Sequence, residues 1–109
     1  MHADQLGTFE FFVLAALAHL GDDAYGVTIR RAIGERAGRL PSFGAVYSTL
    51  DRLAAKGYVS FRVSAPQPIP GGRSRKYARL TALGRRAMRD SARVLGAMLA
   101  GLDVELGGR

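Results

Sequence analysis

Two adjacent glycines, Gly71 and Gly72, are followed closely by Arg73, Arg75 and Lys76 in the stretch PIPGGRSRKY, beside Tyr77. A glycine pair loses entropy on ordering and clustered like charges repel, so neither feature helps this stretch to fold. Its chemistry is that of a phosphate binder: the glycines let the backbone approach closely, and guanidinium forks pair with phosphate oxygens. It is not a nucleotide-cradling loop, because the G-x-x-x-x-G-K-[ST] spacing is absent. Catalytic alternatives are poorly supported. His2 and His19 are the only histidines and there is no cysteine. That leaves no support for a two-histidine metal site, a thiolate nucleophile or a triad. Asp22 and Asp23 are adjacent carboxylates, but ahead of a helical pattern such residues serve as caps. The expectation is a protein that is not an enzyme and uses no metal or cofactor.

The positive charge is unevenly spread. The net charge is +7, yet the first 41 residues carry four arginines against five acids. Nine basic residues lie between Arg62 and Arg93, opposed only by Asp90. All the basic residues except Lys56 and Lys76 are arginine, which points to a nucleic acid or another anionic surface as the partner. The 109 residues suit one domain, and a composition that is 48% hydrophobic and 23% charged is globular. No apolar run approaches the roughly 18 residues of a membrane span. Asp4 and Glu10 stand where a signal peptide would be basic, so a cytoplasmic protein with no membrane partner is expected.

These residues must be positioned by the rest of the chain. Thr8 as N-cap and Gly21 as terminator frame a first helix at about 9–20, apolar nearly all round. A small domain can cover one side of such a helix, which leaves the side with Phe11 and Leu14 for a partner chain. Asp22 or Asp23 would cap a second helix at about 24–37. Ser42 would cap a third at about 43–56, with Val46, Leu50 and Leu53 on its buried face. Alternation then predicts strands at about 58–64 and 75–80, joined by a loop stiffened by Pro66, Pro68 and Pro70. From Thr81 a single helix is expected to reach about Leu106. Met88, Ala92, Leu95, Leu99, Leu102 and Leu106 form a heptad seam along it, which reads as a dimer interface.

The fold class is therefore mainly α with a small β-hairpin, α+β: a winged helix-turn-helix over residues 1–80 and a C-terminal dimerisation helix over 81–109. In such modules the third helix enters the major groove and the wing reaches the backbone or minor groove. Ser42, Gly44 and Ala45 permit close approach, Ser48, Thr49 and Arg52 could reach base edges or phosphates, and Arg73, Arg75 and Lys76 would bind phosphates. A winged helix binding RNA, or duplexes of any sequence, would use the same basic strip. Specific binding would differ from it by preferring a palindromic site with half-sites about one helical turn apart.

The blocks LGTFEFFVLAALAHLGDDAYGVTIRRAI, GAVYSTLDRLAAKGYVSFRV and GGRSRKYARLTALGRRA, in this order, resemble the PadR-type transcriptional regulators over nearly the whole chain. The resemblance implies a homodimeric repressor of a palindromic DNA operator, in the short subfamily with one C-terminal helix packed on the partner's first helix. It also implies a response to small aromatic compounds, for which the volume near Phe11, Leu14, Met88 and Leu95 is the place to look. Tyr47 falls on the family's third-helix tyrosine, either packed beneath the DNA-facing surface or bonded to a phosphate. Gly72, Arg73, Arg75, Lys76 and Tyr77 fall on its wing motif. Tyr25 and Gly26 match AYG, which implies packing between the first two helices. Ala78 replaces an aromatic often found there, which implies a less packed wing. With no Trp in the chain, ligand sandwiching between tryptophans does not carry over.

Overall fold

The computed structural model describes residues 6–66 and 75–102. Helix α1 spans Thr8–Leu20 and is apolar except for Thr8, Glu10 and His19. It starts one position earlier than expected. Gly7, not Thr8, is the N-cap, and its own N–H donates to Glu10 Oε1 at 2.9 Å. Gly21, at φ +60°, ends the helix in a conformation that side chains rarely adopt.

Asp22 and Asp23 lie in a 3₁₀ turn, Gly21–Asp23, and do not cap the next helix. Helix α2, Gly26–Ala37, is secured by Thr28, whose Oγ1 accepts from the Tyr25 N–H at 3.0 Å and donates to the Asp23 carbonyl. Helix α3, Phe43–Ala55, begins as expected: Ser42 Oγ accepts from the Ala45 N–H at 3.0 Å. Gly57, at φ +83°, turns the chain into β1, Val59–Val63, which pairs antiparallel with β2, Lys76–Leu80. The register sets Phe61 opposite Ala78 and Arg62 opposite Tyr77. Ala78 also donates its N–H to the Ala24 carbonyl at 2.8 Å, tying the hairpin to the turn before α2. Its small side chain is buried in the core rather than leaving a gap in the wing.

The core lies where α1, α2 and α3 meet the base of the hairpin. Val13, Leu14 and Leu17 meet Ile29, Ile33, Val46, Leu50 and Leu53, closed by Tyr58 and Val59. Thr81 then caps α4, Ala82–Leu99: its Oγ1 accepts from the Gly84 N–H and donates to the Gly57 carbonyl. A Cβ on Gly84 would lie 2.1 Å from the Tyr58 carbonyl oxygen, so only glycine lets α4 leave the hairpin this closely. The helix is shorter than the heptad pattern suggested. Ala100 is extended and Gly101 sits at φ +89°, so the Ala-Gly pair stops the helix and Leu102 lies beyond it. Leu106 is outside the described residues.

Candidate nucleic-acid interface

Helix α3 turns one face inward and presents the other to solvent. Ser42, Gly44, Tyr47, Ser48 and Arg52 are exposed and Ala45 is half-buried. Thr49 is the exception among the residues expected on that face. Only 2% exposed, it sits one turn from Val46 and Leu53 on the inward side, so it is a core residue and not a base reader. Ser42 and Ser48 use one hydrogen-bonding capacity each within the helix, the cap on Ala45 and a 3.4 Å bond from Ser48 to the Ala45 carbonyl. Each hydroxyl retains capacity for a base edge or phosphate. Asp51, also exposed near the centre of this face, was not singled out from the sequence.

Tyr47 keeps its ring at the surface, nearly parallel to that of Phe43 with centroids 6.3 Å apart. Its hydroxyl lies against Gly26, where a Cβ would approach to 2.1 Å. The glycine of the AYG motif is thus the space that Tyr47 occupies. Tyr25, the N-cap of α2, is half-buried and turned towards the hairpin. Its ring meets Tyr77 of β2 edge-on at 5.4 Å.

The wing's cations are laid over aromatic rings. The Arg75 guanidinium lies 4.5 Å from the centre of the Tyr25 ring, Arg62 lies 4.4 Å from Tyr77, and Lys76 Nζ lies 4.1 Å from Phe61. Arg62 also donates to the Asp22 carbonyl at 3.4 Å, and Arg79 approaches the Asp22 carboxylate at 3.6 Å. Stacking holds a planar guanidinium while leaving its N–H edge outward, so less rotamer freedom is lost when that edge meets a phosphate. Arg73, Gly71 and Gly72 lie outside the described residues.

Glu10 ties α1 to α3. Only 7% exposed, its carboxylate accepts from Gly7 and approaches Lys56 Nζ at 3.1 Å and Arg52 Nε at 3.5 Å. Burial alone would raise its pKa, but the Gly7 N–H, Lys56 and Arg52 together hold it below the ordinary carboxylate value. Arg52, expected to face DNA, is therefore drawn back towards α1 and also donates to Thr49 Oγ1 at 3.3 Å.

Apart from Phe11, which is half-buried, the expected dimer residues that the structure describes separate into three groups. Leu14 is fully buried in the core of its own chain and has no surface to offer a partner. Met88 is half-buried against that core. Ala92, Leu95, Leu99 and Leu102 are exposed, Leu95 at 51%, with Val94 and Met98 exposed around them. Between α1 and α4 lies a groove of about 510 Å³ lined by Phe11, Phe12, Ala87, Val94 and Leu95 among others. Phe11 and Leu95 thus fall on the expected effector volume, whereas Leu14 and Met88 do not line it. Among the described residues no helix is long and apolar enough to cross a membrane.

Comparison with known proteins agrees with this geometry. The model of the transcriptional regulator PadR-like family matches residues 13–90. No match was found among curated proteins. Several solved structures share the fold. A PadR family transcription regulator from Clostridium difficile has a TM-score of 0.72 and 22% identity, over 94% of this chain and 100% of that one. RosR from H. salinarum gives 0.69 and 24%, over 92% and 83%. Bacillus subtilis PadR in complex with operator DNA gives 0.65 and 21%, over 77% of this chain and 47% of that one.

Proposed function

The chain belongs to the PadR-like family of transcriptional regulators, and from that premise we propose that it is a homodimeric, sequence-specific DNA-binding repressor that occupies a palindromic operator. The observation that carries the reading is the pairing of two surfaces on one rigid frame. One is the exposed edge of α3 with Ser42, Gly44, Ala45, Tyr47 and Ser48, and the other is the stacked cations Arg62, Arg75 and Lys76 on the hairpin. A helix presenting small and hydroxyl side chains can enter a major groove and read base edges, while the wing's guanidinium edges bind phosphates and fix the register. Arg73 extends the same cationic run in the sequence. The likeness to Bacillus subtilis PadR, solved in complex with operator DNA, supports DNA binding.

The dimer rests on α4. A monomer that leaves Leu95, Leu99, Val94 and Met98 in water exposes a contiguous apolar strip, which a second copy would cover with its own strip and with α1 around Phe11. Such a twofold dimer would present two copies of α3 to successive turns of one face of the duplex. Residues 81–109 then serve dimerisation and 1–80 serve DNA. Release by a small aromatic compound in the α1–α4 groove completes the proposal.

The test is a salt titration of DNA binding by the wild type and by Arg73→Ala/Arg75→Ala. Each lost phosphate contact should reduce the slope of log affinity against log salt by about 0.9. The double variant should bind every duplex more weakly, with a slope shallower by up to about 1.8. An unchanged slope would remove the wing from the interface. Equal affinity of the wild type for unrelated duplexes, or preference for RNA, would reject sequence-specific regulation.

A further inference from the structure

Phe43 is the first residue of α3, yet it neither caps the helix nor enters the core: Ser42 supplies the cap, and Phe43 is 41% exposed. It has two ring-contacting neighbours. The Arg30 guanidinium lies 4.4 Å from the ring centre, and Arg30 is itself fixed by a 2.7 Å bond from Nε to the Pro41 carbonyl. The Tyr47 ring stacks beside it at an interplanar angle of 20°. Single exposed apolar side chains are ordinary, but this one is fixed in orientation at the end of the helix that would meet base edges first.

We infer that Phe43 reads thymine, packing its ring on the 5-methyl group in the major groove; the inference rests on the DNA-binding reading above. A phenyl ring has neither donor nor acceptor, so the base-edge feature that complements it in the major groove is the thymine methyl. Gly44, with no side chain, leaves room beside it, and a ring already in contact with Arg30 and Tyr47 loses little freedom on meeting the base. Arg30 keeps outward N–H groups for the neighbouring phosphate, so one stack would couple backbone positioning to base choice.

The experiment begins by enriching bound sites from random duplexes with the full-length protein. Each thymine of the enriched site is then replaced in turn by deoxyuridine, which removes only the methyl. The wild type should lose about fourfold in affinity at one thymine per half-site, the effect of one buried methyl-sized group. Phe43→Ala should bind the thymine and uracil duplexes equally, and Phe43→Leu should keep part of the preference. If no uracil replacement weakens the wild type, or if Phe43→Ala retains the full fourfold difference, the assignment is overturned. A wild-type scan in which no uracil weakens binding overturns the assignment without any variant having to fold. Failure to enrich any site would overturn the DNA-binding reading and this one with it, whereas an enriched site indifferent to thymine methyls overturns only this one.

Discussion

Replacing Glu10 with Gln should have opposite effects on stability and on DNA binding. The substitution keeps the shape but removes the charge that three donors converge on: Gly7 N–H at 2.9 Å, Lys56 Nζ at 3.1 Å and Arg52 Nε at 3.5 Å. Hydrogen bonds to charged groups contribute about 1.5–3 kcal/mol each at best. Arg52 is 56% exposed on its side chain, so solvent screens its share. The expected cost is about 1–2 kcal/mol, read as a fall in Tm of about 4–8 °C for each kcal/mol, at one fixed protein concentration. The same change releases Arg52 and Lys56 from α1. Their charge becomes available to phosphates, so the salt slope should steepen by up to about 0.9 for each cation that finds one. The pH dependence follows from the lowered carboxyl pKa. A depressed carboxylate stabilises the fold fully above its ordinary value of 4.5, and this is lost as pH falls through the lower folded value. Wild type and Glu10→Gln should therefore differ in Tm at pH 7 and converge under acid conditions. A variant with unchanged Tm and unchanged salt slope would refute Glu10 as the tether between α1 and α3.

Gly84→Ala should destabilise by about 1–3 kcal/mol in urea unfolding, because its Cβ would meet the backbone carbonyl of Tyr58, which cannot move without displacing β1. Gly26→Ala should cost less, since the clash is with the end of the half-exposed Tyr47 side chain, but it should displace Tyr47 and weaken DNA binding. Equal stability losses would contradict the distinction between a backbone and a side-chain obstacle. Leu95→Arg places a charge in the exposed strip of α4 without touching the monomer core, so sedimentation should give a folded monomer. An unchanged dimer mass would move the interface elsewhere.

The order of elements, the Ser42 cap and the strand pairing were legible because each depends on local chemistry: a hydroxyl at an N-cap, glycine at positive φ, alternation in the hairpin. What was lost depends on which way a helix faces. Thr49 shares the inward face with Val46 and Leu53, and a hydroxyl on that face reads as polar until its burial is seen. Leu14 was equally hidden, because a helix apolar nearly all round does not announce its inner side. Glu10 could not be read, since its partners Arg52 and Lys56 are 42 and 46 residues away. The heptad spacing outlasts α4, which ends just before Gly101 at positive φ, so spacing alone overstates the helix.

Protection of an enriched site from cleavage tests the central claim most directly. A twofold dimer reading DNA with paired copies of α3 should protect two inverted half-sites centred about one helical turn apart, on one face of the duplex. A single protected patch, or equal protection of duplexes unrelated in sequence, would contradict it.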